Sequence, residues 1–159
     1  MEIYVSPAGT VVPKRLEQAD AVAGEGLRGD RYFRSGSGSG TFYEPDKVDQ
    51  DLTLIELEAL EGLREDTGIE LGAAEARRNV VTRGVRLNDL VGRRFKVGEV
   101  ECEGKRLCEP CDHLERLTEP GVLRGLEQRG GLRADIVRGG RIAVGDPVSD
   151  TGTAGGPAL

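Results

Sequence analysis

Short apolar runs closed by glycine constrain this chain more than any other feature. Runs such as Glu2-Ile3-Tyr4-Val5, Leu52-Thr53-Leu54-Ile55 and Arg94-Phe95-Lys96-Val97 are each four residues long, and glycine recurs 24 times in 159 residues. Strands of this length need turns at short intervals, and glycine supplies the backbone freedom those turns demand. The apolar fraction is 37%, aromatics are only 4% and tryptophan is absent, so Val, Leu, Ile and Ala must fill the core. That length and apolar content suit one domain. The pattern predicts a mainly β (α+β) chain folded as a closed or nearly closed β-barrel with a few short helices. Helices do not alternate regularly with the strands, which argues against a doubly wound sheet.

Strands are expected at 2–6, 10–12, 51–55, 76–82, 132–137 and 141–144, with a hairpin about Gly98 joining 94–98 to 100–104. Leu57, Leu60 and Leu63 recur on one face of a helix from Glu56 to about Asp66, stopped by Thr67-Gly68. Leu87 to Gly92 reads as a turn or a single helical turn. Helices are also expected at about 110–117 and 120–129, with Gly130-Gly131 as the second stop. Ser35 to Gly40 reads as a flexible loop, and the domain is expected to span 1–148, followed by a disordered tail at 149–159.

A net charge of -6 argues against general nucleic-acid binding. No leader is expected, since Glu2 interrupts the first apolar residues, and no stretch approaches the ~20 apolar residues of a membrane span. The expected location is cytoplasmic, where three cysteines stay reduced.

The chemistry concentrates in Arg106-Leu107-Cys108-Glu109-Pro110-Cys111-Asp112-His113, which holds two of the three cysteines and the one histidine. Proline is favoured at the first helical position, which places Cys111 in the opening turn. Unpaired backbone N–H groups and the helix dipole there lower a thiol below its free value of ~8.5, with Arg106 adding to the effect and Glu109 and Asp112 opposing it. Four readings stand: a functional thiolate at Cys111 that carries sulfur or touches a soft metal, a redox dithiol of Cys108 with Cys111, structural zinc on Cys102, Cys108, Cys111 and His113, or cysteines as core filler. Zinc is the weakest of the first three, because the chain has one Cys-x-x-Cys knuckle and Cys102 falls on a strand. For Cys102, core filler is the favoured reading. A second constellation, Arg28-Gly29-Asp30-Arg31 with Arg77-Arg78-Asn79, clusters guanidinium groups suited to phosphate or another oxyanion.

Gly26 to Phe33, Leu52 to Glu56, Arg77 to Val80, Leu87 to Gly98 and Cys108 to Leu114, in that order and spacing, closely resemble the MOSC domain family, named after the C-terminal domain of molybdenum-cofactor sulfurase. The resemblance covers roughly 1–148. It implies a barrel related to that of pyruvate kinase, here as a stand-alone prokaryotic member. It further implies that the chain binds molybdenum cofactor (molybdopterin) or handles its sulfur, with Cys111 as sulfur acceptor or molybdenum-contacting thiolate. Arg28, Asp30, Arg31, Arg77, Arg78, Asn79 and Arg106 would line the cofactor pocket, and His113 would donate a proton. Cys108 would resolve a Cys111 persulfide as a disulfide. Implied partners are a cysteine desulfurase or a molybdoenzyme, and the implied activity is sulfur transfer. Pyridoxal phosphate is not expected in this chain alone, which has no fused desulfurase domain. Two alternatives remain: a non-catalytic module that delivers cofactor or metal to a molybdoenzyme, and detoxification of N-hydroxylated or sulfur compounds.

Overall fold

The computed structural model describes residues 1–5, 13–29, 51–73, 78–108, 121, 125, 126 and 129–154. Eleven strands are assigned there: β1 (Glu2–Val5), β2 (Lys14–Leu16), β3 (Gln18–Val22), β4 (Gly26–Leu27), β5 (Leu52–Glu56), β6 (Val80–Thr82), β7 (Arg93–Val97), β8 (Val100–Leu107), β9 (Leu132–Arg138), β10 (Gly140–Ala143) and β11 (Val148–Ala154). One helix, α1 (Leu57–Thr67), follows β5, and Leu87–Leu90 form a single 3-10 turn.

Eight strands make one curled sheet in the order β11-β7-β8-β9-β5-β6-β1-β2, and β10-β3-β4 make a second. The expected mainly β fold is present, but the barrel does not close. β2 and β11 stand at opposite ends of the large sheet and do not pair with each other. β2 is three residues long with Lys14 and Arg15 exposed, a short charged edge of the kind that resists further pairing. The small sheet closes over the open side instead: Ala19, Ala21, Leu27 and Ile142 share a core with Ile3, Leu54, Val80, Phe95, Val97, Cys102 and Ile136.

Period-two alternation decides what each face meets. In β1, Ile3 and Val5 enter the inner core, while Tyr4 points to the other face. On that outer face α1 covers β1, β5 and β6, with Ala59, Leu60 and Leu63 against Tyr4, Ile55 and Val81. The helix ends as expected at Gly68, left-handed with φ 77°. β5, α1 and β6 form one parallel crossover within an otherwise antiparallel sheet. Over β7, β8 and β9 the outer face is polar: Arg94 stands 3.3 Å from Glu103, whose other oxygen lies 2.6 Å from Lys105.

The tail expected from 149 onward is a strand as far as Ala154. β11 pairs with β7 from Val148↔Val97 to Asp150↔Phe95, and Arg93 forks onto Asp150 at 3.0 and 3.3 Å. Val100–Leu107 extends the expected hairpin strand by three residues. The expected strand at 10–12, the Ser35–Gly40 loop and most of the helices at 110–117 and 120–129 lie outside the described residues. Among the described residues, no helix is long and apolar enough to cross a membrane.

Candidate functional site

The site is built where β8 ends. Leu107 pairs with Leu132, and the Cys108 N–H donates to the Gly131 carbonyl at 2.7 Å. Gly131 has φ 114°, and a Cβ there would run into the Leu54 carbonyl oxygen, so only glycine brings β9 this close to β5. Arg78, just before β6, locks the junction from the side. Its Nε donates to the Gly130 carbonyl at 2.9 Å and its Nη2 to the Cys108 carbonyl at 3.3 Å. One guanidinium thereby fixes both the exit of β8 and the entry to β9.

Asn79 is bound into the scaffold. Its Oδ1 accepts from the Thr53 N–H at 3.0 Å and from the Thr53 hydroxyl at 3.1 Å, while its Nδ2 donates to the Tyr4 carbonyl at 3.2 Å. Its own N–H donates to Thr53 Oγ1 at 3.0 Å, and its carbonyl accepts from the Tyr4 N–H at 2.6 Å. These bonds tie β1 and β5 to the residue just before β6.

A register shift in β8 places the next arginine. Gly104 faces Ala134, but Arg106 faces Arg133, so Lys105 is an extra residue in the ladder. Such a bulge re-aims the side chains that follow it. Gly104 sits on the inner side, against the Leu90 carbonyl. Without the extra residue, Arg106 would share that side. With it, Arg106 turns to the outer face, directly opposite Arg133. Arg133 in turn faces Thr53. The outer face thus carries a row running Asn79, Thr53, Arg133, Arg106 across four strand positions.

The three cysteines separate by environment. Cys102 is 0% exposed in the inner core, where burial pushes its thiol up to about 12, aided by Asp51, Asp135 and Glu101. It serves as core filler and is not available as a zinc ligand. Cys108 is a free thiol, 2% exposed. Cys111 and His113 lie outside the described residues, as do Asp30, Arg31 and Arg77. Among the described residues, no group of three or more His, Cys, Asp or Glu side chains gathers to hold a metal.

The structure brings Arg78, Asn79, Arg106 and Cys108 to one junction. Arg28 is exposed in the second sheet, where its N–H donates to the Asp20 carbonyl at 3.0 Å. Arg133 is the residue that the sequence did not single out. Alternation in Leu132-Arg133-Ala134 signals only that it faces outward; its pairing with Arg106 depends on the bulge.

The MOSC domain model matches residues 23–149. The YUAD protein from Bacillus subtilis superposes with a TM-score of 0.75 at 17% identity, covering 92% of this chain and 91% of that one. YiiM from Geobacillus stearothermophilus gives 0.68 at 16% identity, covering 94% and 73% respectively. YiiM from Escherichia coli gives 0.64 at 16% identity, covering 95% and 70%. At these identities the likeness is one of fold. No curated protein matches the chain.

Proposed function

The chain belongs to the MOSC domain family, and on that premise we propose that it binds molybdenum cofactor or handles its sulfur, with Cys111 as the sulfur-accepting thiolate. The observation that carries this reading is the clamp on Cys108. Arg78 and Gly131 hold the main chain three residues before Cys111. In the sequence Cys111 follows Cys108 by three residues and Arg106 by five. Arginine near a thiol favours its anion. Arginine suits an anionic, oxygen-rich ligand, and Arg78 and Arg106 both stand by the end of β8.

When bound, the cofactor supplies a metal centre able to take a sulfur ligand. The earlier chemistry belongs to this chain. The Cys111 thiolate attacks the outer sulfur of a persulfide on a cysteine desulfurase; a new S–S bond forms, the donor's S–S bond breaks, and the donor cysteine leaves as a thiolate. No net oxidant is required. Arg31, Arg77, Arg78 and Arg106 would neutralise the oxygens of the cofactor, Asn79 fixes the strands beside them, and His113 would supply a proton; Arg28, beside the second sheet, is not at this junction. Cys108 is buried, so its attack on a Cys111 persulfide requires the chain after β8 to bring that sulfur to it.

Intact-mass spectrometry after incubation with a cysteine desulfurase and cysteine tests the mechanism. Wild type and Cys102→Ala gain one sulfur atom, and Cys111→Ala gains none. An unchanged wild-type mass, or equal loading of Cys111→Ala, rules out the mechanism.

A further inference from the structure

Away from the cysteines, a groove of about 510 Å³ opens on β7, β8 and β11, lined by Arg94, Phe95, Lys96, Glu101, Ser149 and Thr151. That volume suits a small molecule. Glu101 and Cys108 stand at opposite ends of β8, about 20 Å apart along an extended strand. The groove is therefore separate from the junction at Cys108. In the ladder Lys96 faces Glu101 of β8 on one side and Ser149 of β11 on the other. Opposite charges that face each other across a ladder ordinarily join. The neighbouring pair does so, with Arg94 Nε 3.3 Å from Glu103. Lys96 and Glu101 do not. Neither side chain, nor that of Ser149, makes a hydrogen bond or ion pair among the described residues. Arg94 is itself incompletely satisfied: its Nε is closed to solvent, and the Glu103 oxygen lies out of line for a hydrogen bond. The Thr151 hydroxyl is already taken up by the Arg94 carbonyl, to which it donates at 2.9 Å.

We propose that this groove binds a small zwitterion, an α-amino acid. Its carboxylate takes the Lys96 ammonium, the Arg94 guanidinium and the Ser149 hydroxyl, and its ammonium group meets Glu101 on the neighbouring strand. Charge-assisted hydrogen bonds of this kind are the strong ones, and each group of the ligand answers a group that lacks a partner. A simple anion would sit beside Glu101 and be repelled by it. A simple cation would meet Glu101 but leave Lys96 and Ser149 unanswered. Only a ligand carrying both charges a short distance apart satisfies the two sides of the groove at once. The inference rests on neither the cofactor nor the sulfur reading, and failure of sulfur loading at Cys111 leaves it standing.

The experiment is isothermal titration of the full chain at low ionic strength with glycine and L-alanine, and with acetate and methylammonium as single-charge controls. Wild type binds both amino acids and binds each control at least tenfold more weakly. Lys96→Gln and Glu101→Gln each weaken amino-acid binding at least tenfold. Ser149→Ala weakens it less, and Arg141→Gln, in the second sheet, leaves it unchanged. Circular dichroism and thermal unfolding check that each variant is folded. Should Lys96→Gln or Glu101→Gln fail to fold, Lys96→Arg and Glu101→Asp, which keep the charge but move it, take its place and are expected to bind more weakly than wild type. Acetate bound as tightly as L-alanine makes this an anion site and overturns the proposal. So does methylammonium bound as tightly, which makes it a cation site. Absence of amino-acid binding by wild type up to the solubility limit overturns it outright, as does binding by the folded charge variants equal to wild type.

Discussion

Asp51 shows how a single residue sets a pH dependence for the whole scaffold. It precedes β5, and its Oδ2 accepts from the Ile136 N–H at 2.9 Å. Burial pushes its carboxyl up to about 6 against that hydrogen bond, with Asp135 and Glu25 adding to the rise. The folded state therefore holds this proton more tightly than the unfolded chain does. The protonated side chain stabilises the fold at acid pH, and the contribution is lost as pH climbs from the ordinary carboxylate range through about 6. Asp51→Asn keeps the acceptor and cannot ionise. Urea unfolding across pH 4 to 7 (roughly the window this shift sets) is expected to show the variant and wild type alike at the acid end, with the variant increasingly more stable toward neutrality. A constant difference across the range contradicts the assignment. None of this was visible in the sequence, where Asp51 is one carboxylate among 28 acidic residues and its burial depends on a strand 85 positions away.

At the scale of elements, local pattern and distant pairing separate cleanly. The strand at Leu52, the helix with Leu57, Leu60 and Leu63, the 3-10 turn at Leu87 and the hairpin about Gly98 were legible because each is encoded by residues close in sequence. β11 was not. Val148-Ser149-Asp150-Thr151-Gly152-Thr153-Ala154 is polar and glycine-containing, which reads as a tail. It becomes a strand because β7 offers an open edge and Arg93 a partner for Asp150. The bulge at Lys105 was equally hidden, since an extra residue is defined only against β9. Arg78 and Asn79 were singled out as residues of the cofactor pocket, and in the structure they bond the scaffold: they hold Cys108, Gly130, Thr53 and Tyr4 in place. Ending the chain at Pro147 removes β11 and its ion pair and bares the β7 edge. The expected result is a Tm lower by about 5–10 °C, equivalent to a few kcal/mol for a domain of this size, with self-association through the freed edge. A truncated chain as stable and monomeric as the full one would show that β11 contributes nothing.

Across the whole molecule, the curled sheet divides its work between two faces. The inner face is apolar and shut by the small sheet. The outer face is covered by α1 over one half and left polar over the other. β8 ends near the boundary between those halves, where Arg78 bonds the Cys108 carbonyl and Arg106 stands opposite Arg133. A barrel closed on itself would offer no such boundary. The central proposal is that the Cys111 sulfur is anionic at neutral pH. The most direct test is the rate of alkylation by iodoacetamide against pH, read on the peptide that carries Cys111. The account predicts a half-maximal rate near neutrality, below the ~8.5 of a free thiol. A midpoint at or above that value contradicts it.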